Sequence, residues 1–328
     1  MGTARLQQID ALRGIAALAV VLYHYSYTFP KFYNKGASVL FTASWGFLGV
    51  QLFFLISGFV IFMTLERTRR ASDFLVSRFS RLYPTYWTCM LLTTVFVAWL
   101  DLPRLQLGWR ETLLNLLMFQ GLLHVRNTDG AYWTLAVELL FYAWALAAFS
   151  LGRLGQLRGW LLLALLLRLL QHFEPLTLPT RLSTVMILPF APWFACGIAV
   201  YGVVREGPRV RHLGLLAAAT TAIAICDDAR LGLVAPALSL ALYLAGTGRL
   251  PWLSRRPLLW LGRISYPLYL VHQYIGYALL LQLDAAGVPI DSAILLVLAL
   301  MLATASLLHS LIEQPAMDWI RARWRHRS

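Results

Sequence analysis

Long apolar runs separated by short basic clusters recur along the chain from Ala11 to Ile312. A helix that crosses a bilayer needs about 17–25 mostly apolar residues. On that measure the pattern predicts spans near 11–29, 46–65, 84–101, 133–150, 159–173, 183–204, 213–226, 231–247, 264–283 and 292–312, of which 159–173 and 213–226 are short. A further apolar piece, TLLNLLMFQGLL (Thr112–Leu123), is shorter still. The expected fold class is all-α, a polytopic membrane protein with about ten transmembrane helices.

The basic residues orient those helices. With ten spans and a cytoplasmic N-terminus, nineteen of the 28 Lys and Arg residues fall inside, seven fall outside (Lys31, Lys35, Arg104, Arg110, Arg126, Arg181 and Arg230), and Arg13 and Arg168 lie in spans. A crossing at 112–123 would turn every later cluster outward, against the positive-inside bias. That piece is therefore expected to be a re-entrant or interfacial helix on the outer side, with both termini cytoplasmic.

Composition narrows the class. The chain is 59% hydrophobic and 13% charged, which leaves one integral membrane domain over 1–328 and no room for a soluble catalytic domain. A net charge of +13 in short clusters between apolar runs fits orientation in lipid, not nucleic acid, so membrane lipid is an expected partner and nucleic acid is not. Cys89, Cys196 and Cys226 are isolated in apolar segments, and no zinc spacing, Gly-rich phosphate loop or Gly-x-Ser-x-Gly elbow occurs, so no metal is expected. The first run lacks a cleavage motif and reads as a retained span.

Ionisable groups in spans are costly and are functional candidates by default. Arg13 and His24 are eleven residues apart, which on a helix returns to within roughly 20° of the starting azimuth after a rise of about 16 Å. They share one stripe, Arg13 near the cytoplasmic end and His24 in the outer half. The plain alternative has Arg13 snorkelling and His24 making an inter-helix bond. Glu138, in YWTLAVELLFY, lies about as deep as His24, so its carboxylate is a candidate to hold one imidazole nitrogen and leave the other as base or nucleophile. The alternative partner for Glu138 is a hydroxyl such as Tyr142. The loop ERTRRASDFLVSRFSRLYP carries Arg67–Arg70 and Arg78–Arg81 on the cytoplasmic side. Positive-inside bias explains such loops, but Arg78 and Arg81 stand one turn apart, a fitting clamp for a phosphorylated ligand with Arg70 nearby. His272 lies well inside the ninth span and reads equally as a structural residue. His124, Asn127, Asp129, Tyr132 and Trp133 read as loop polarity and an aromatic belt, or as acceptor contacts.

Six pieces in order resemble the acyltransferase-3 family of integral membrane O-acyltransferases. They are IDALRGIAALAVVLYH with Arg13 and His24, GFLGVQLFFLISGF, RFSRLYPTYW with Arg78 and Arg81, WTLAVELLFY, LGRISYPLYLVHQ, and the closing Glu313-Gln-Pro315. Many members carry a further soluble domain after the membrane part, and none is expected within residues 1–328. The resemblance implies a bacterial cytoplasmic (inner) membrane enzyme that takes an acyl group, most often acetyl, from cytoplasmic acetyl-CoA or another acyl-CoA. The acceptor would be a hydroxyl of a glycan, a lipid-linked saccharide or a secreted small molecule, reached from the other side of the membrane. Arg78, Arg81, Arg70 and Arg13 would serve the donor, and His24, with Glu138 and Arg13, the chemistry. His24 would act either as general base or as transient acyl carrier. A transporter or flippase with the polar stripe as a solute path, and a membrane scaffold or receptor, are the competing readings.

Overall fold

The computed structural model describes residues 3–34, 39–100, 102, 105–174 and 178–326. Among them every regular element is helical. In chain order the α-helices are α1 (Thr3–Tyr23), α2 (Phe29–Phe32), α3 (Leu48–Arg67), α4 (Ala71–Trp99), α5 (Trp109–Asn115), α6 (Trp133–Ser150), α7 (Leu157–His172) and α8 (Thr180–Val185). There follow α9 (Ala191–Glu206), α10 (Val210–Cys226), α11 (Ala229–Thr247), α12 (Arg256–Val271), α13 (Tyr274–Ala285), α14 (Ile290–Leu308) and α15 (Gln314–Arg325). Two π turns, His24–Thr28 and His309–Glu313, join α1 to α2 and α14 to α15 without ending the helical path.

Among the described residues six helical stretches are long and apolar enough to cross a membrane: Leu6–Phe32, Ser44–Arg67, Gly130–Ser150, Leu154–His172, Ala229–Thr247 and Ile290–Arg325. The other expected runs fall on helices that are shorter (α9, α10, α12, α13) or less apolar (α4). On α14 the buried positions Ala293, Ile294, Val297, Met301 and Ala305 repeat every three or four residues, while Leu295, Leu296, Leu300 and Leu307 are exposed. Apolar residues on the exposed face as well as the buried one are the pattern of a helix solvated by lipid. Lys35, Arg104 and Arg327, which entered the charge count, lie outside the described residues.

Two expected spans are broken helices. The run at 183–204 contains α8, a turn over 186–190, and α9. Pro189 lies in that turn and Pro192 in the first turn of α9, where a missing N–H costs nothing. The run at 264–283 breaks at His272–Gln273 between α12 and α13. The piece at 112–123 is no continuous helix: α5 has seven residues, about 10 Å of rise, far short of a crossing. It ends where the Asn115 side chain donates to the carbonyls of Glu111 and Arg126 and accepts from Thr128 N.

Backbone contacts divide the chain into two compact units, each assembled from separated stretches. The first takes α1 up to Arg13, Gln51–Phe74 and Val137–Leu259; the second takes Gly14–Val50, Leu75–Ala136 and the chain from Trp260 onward. In the first unit α9 is the hub, buried without interruption from Ala191 to Gly202 and packed against α7, α10 and α11. Its crossing with α3 has glycine on both sides: a Cβ at Gly197 would lie 1.9 Å from the Leu55 carbonyl oxygen, and one at Gly58 would lie 2.3 Å from that of Phe194. Backbones approach this closely only where side chains are absent. Gly197→Ala is therefore expected to force α3 and α9 apart and destabilise the protein by about 1–3 kcal/mol. A thermal midpoint in detergent equal to wild type would contradict this.

Candidate functional site

The site lies in the second unit, where two interruptions of regular helix meet. At the π turn an extra residue is wound into the first long helix, a local distortion that recurs at functional sites, and His24 opens it. Tyr25 is fully buried and its hydroxyl donates to the His272 carbonyl at 2.7 Å. Ser26 Oγ donates to Leu22 O and accepts from Ala43 N, tying the distorted turn to the chain before α3. Gly276 leaves room for Tyr25, since a Cβ there would come within 2.2 Å of its hydroxyl oxygen.

The second interruption is the break after α12. Tyr274 N, which the break deprives of an intrahelical partner, donates to Asp129 Oδ2 at 2.8 Å, and Asp129 Oδ1 accepts from Ala131 N at 2.9 Å. Tyr132 donates to the Leu270 carbonyl at 3.0 Å, and Tyr269 Oη lies 2.8 Å from Thr134 Oγ1. The loop before α6 therefore holds the break in place. Burial pushes the Asp129 carboxyl up to about 7 against the downward pull of its two N–H donors. The folded protein thus holds this proton between about pH 4 and 7, where the unfolded chain releases it. Its contribution to stability is complete below the ordinary value of 3.8 and is lost as pH rises towards 7. The thermal midpoint of wild type relative to Asp129→Asn is expected to fall over that range; a constant difference would contradict the shift.

The two interruptions bring His24 and His272 together. His24 Nδ1 lies 2.9 Å from Val20 O and 3.1 Å from His272 Nε2, and His272 Nδ1 lies 2.7 Å from Tyr269 O. His272 is fully buried and His24 partly exposed. The result is an imidazole backed by a second imidazole, with one ring still reachable: a geometry for moving a proton.

The other sequence candidates are distributed as follows. Arg13, on the same continuous helix as His24, pairs with Asp10 at 3.9 Å and belongs to the first unit. Glu138, also in the first unit, accepts from Ser57 at 3.0 Å and from Tyr142. The hydroxyl alternative thus describes Glu138, and the ring partner of His24 is an imidazole where a carboxylate was expected. Arg70 is exposed in the turn between α3 and α4. Arg78 and Arg81 lie one turn apart within α4, not in a loop before it.

Arg321 of α15 stands among other basic residues, Arg323 and Arg325, and reaches the same turn of α4. Its Nε donates to Ser80 Oγ at 3.2 Å and its Nη2 to Ser77 O at 3.4 Å. Its charge is close enough to those of Arg78 and Arg81 to be repelled by both, with Asp318 the nearby acid. Like charges so placed repel one another, and guanidiniums are the side chains suited to bidentate contacts with phosphate. Tyr266 donates to the carbonyl of Leu82, next to Arg81, and lies six residues, about 9 Å of helix, before His272. Among the described residues no group of three or more His, Cys, Asp or Glu is placed to hold a metal.

Comparison with known proteins agrees with a transferase. The model of a family described as an acyltransferase domain matches residues 6–309. The acyltransferase MdmB of Streptomyces mycarofaciens is 26% identical, the match covering 97% of this chain and 93% of that protein. YrhL of Bacillus subtilis (strain 168), a putative peptidoglycan O-acetyltransferase, is 25% identical over 94% of this chain but only 54% of its own length. An O-acetyl transferase of Shigella phage Sf6 is 29% identical over 40% of this chain and 43% of that protein. No solved structure matches.

Proposed function

Because the chain belongs to the acyltransferase family whose domain takes in residues 6–309, we propose that this multi-pass membrane protein transfers an acyl group from acyl-CoA to a hydroxyl of a glycan or lipid-linked saccharide. The donor is acetyl-CoA, the membrane is the bacterial inner membrane, and both termini face the cytoplasm. The observation that carries the reading is the His24–His272 pair, with its nitrogens 3.1 Å apart, in a helical unit that also holds the Arg78–Arg81–Arg321 cluster. A saccharide acceptor is favoured by the relative whose name specifies peptidoglycan O-acetylation.

In this reading the three arginines hold the phosphates of the donor. The pantetheine arm follows α12 from the Tyr266–Leu82 tie towards His272, a distance a flexible chain of that kind covers. His24 takes the proton of the acceptor hydroxyl as its oxygen attacks the thioester carbonyl. The carbon–sulfur bond breaks, an ester bond forms, and the proton passes from the imidazole to the departing CoA thiolate. Apolar walls keep water from hydrolysing the thioester.

The test supplies purified protein in detergent with acetyl-CoA labelled in its acetyl group and soluble peptidoglycan fragments. The expected result is release of free CoA thiol matched by label in the fragments. No thiol release in detergent, with uptake of the fragments once the same protein is reconstituted into vesicles, would overturn the enzyme reading in favour of a transporter.

A further inference from the structure

We propose that His272 is a positioning residue for His24, accepting the Nδ1 proton of that ring so that Nε2 is the nitrogen that receives the proton of the acceptor hydroxyl. This rests on the acyl-transfer reading above and adds to it which atom acts and what stabilises the charge it acquires.

The hydrogen-bond network assigns the protons. A carbonyl oxygen can only accept, so His272 Nδ1, 2.7 Å from Tyr269 O, carries a hydrogen. The ring is fully buried with no carboxylate among its hydrogen-bond partners, and a cation there would be uncompensated. His272 is therefore neutral, and its Nε2 presents a lone pair. His24 Nδ1 faces that lone pair at 3.1 Å and the Val20 carbonyl at 2.9 Å, two acceptors, so it carries a hydrogen shared between them. In the neutral His24 ring the lone pair then sits on Nε2.

His272 gains importance as the proton moves. When His24 Nε2 takes the hydroxyl proton, the ring becomes an imidazolium and its Nδ1–H a stronger donor. The bond to His272 Nε2 becomes charge-assisted and strengthens as the transition state is approached. This is the part a carboxylate plays in hydrolytic triads, supplied here by a neutral ring. A neutral partner leaves His24 a weaker base than a carboxylate would. That suits a thioester, whose leaving thiolate is more basic than an imidazole and readily takes the proton back.

Two further contacts keep the rings in register. Tyr25, the neighbour of His24, donates to the backbone carbonyl of His272, so consecutive residues of the π turn grip one residue by its ring and by its main chain. Asp129 caps Tyr274 N two residues on, holding the break that lets the His272 ring reach back towards His24.

The experiment uses the full chain in detergent micelles and compares wild type with His272→Phe, which keeps a ring but removes the acceptor. His272→Gln is the conservative variant, whose amide oxygen reaches the depth of Nε2. Initial rates with acetyl-CoA and peptidoglycan fragments give kcat and KM, and 15N spectra of histidine-labelled protein report the protonation of His24 Nε2 without substrate. His272→Phe is expected to lower kcat about 100-fold with KM for acetyl-CoA unchanged, and His272→Gln to recover about tenfold of that loss. The wild-type spectrum is expected to show His24 Nε2 unprotonated, with a mixture of tautomers in His272→Phe. Wild-type kcat in His272→Phe would overturn the proposal, as would equal losses in both variants accompanied by lowered thermal midpoints, or a protonated Nε2 in neutral wild-type His24. Full activity in His24→Ala would instead sink the base assignment beneath it, so the two failures are distinguishable.

Discussion

His24→Ala is expected to lower the rate of acyl transfer about 10²–10⁴-fold, the range that a positioned acid–base group supplies. The protein itself survives the change. The ring of His24 is partly exposed, and one of its two bonds is local, to Val20 four residues earlier. The contacts that hold the π turn come from its neighbours: Tyr25 to the His272 carbonyl, and Ser26 to Leu22 and Ala43. At 1.36 kcal/mol per tenfold, the expected loss corresponds to about 3–5 kcal/mol of transition-state stabilisation. Membrane level and thermal midpoint should match wild type. A fully active variant would remove His24 from the chemistry.

Removing the basic cluster should do something different. Arg78→Gln combined with Arg81→Gln is expected to raise KM for acetyl-CoA about 10²–10⁴-fold and change kcat far less, because hydrogen bonds to charged groups contribute roughly 1.5–3 kcal/mol each and the phosphates are held equally in ground and transition states. Arg321→Gln, which leaves Ser77 and Ser80 without the guanidinium they hold, should weaken donor use in the same sense. Raising ionic strength should weaken donor binding in wild type more than in the double variant. Equal acetyl-CoA affinity in wild type and double variant would refute the clamp.

The local features of this fold were legible in the sequence; those made by distant partners were not. The run predicted at 133–150 is α6, Trp133–Ser150, because a long apolar stretch bounded by polar turns has one helical solution. The spacing of Arg78 and Arg81 survives because i,i+3 neighbours share a helix face wherever the helix begins. Pro189 and Pro192 were visible markers of the break that divides 183–204, passed over because apolar residues surround them. The break at His272–Gln273 had no such marker: its free N–H is capped by Asp129, 145 residues away in sequence. Nor could the histidine pair, 248 residues apart, be inferred from either segment alone. Depth along separate spans suggested Glu138 for His24, but depth alone does not choose among possible donors, and Glu138 is held by Ser57 and Tyr142. Arg321 was hidden by its company, since one arginine in a basic tail carries no sign that it reaches across to Ser77 and Ser80.

The most direct measurement reconstitutes the protein in one orientation in liposomes, with peptidoglycan fragments enclosed and labelled acetyl-CoA supplied only on the face that carries Arg78, Arg81 and Arg321. The account predicts free CoA thiol outside and acetylated fragments inside, in equal amounts, and neither product with His24→Ala. Acetylation that requires donor and acceptor on the same face, or that proceeds unchanged with His24→Ala, would contradict it.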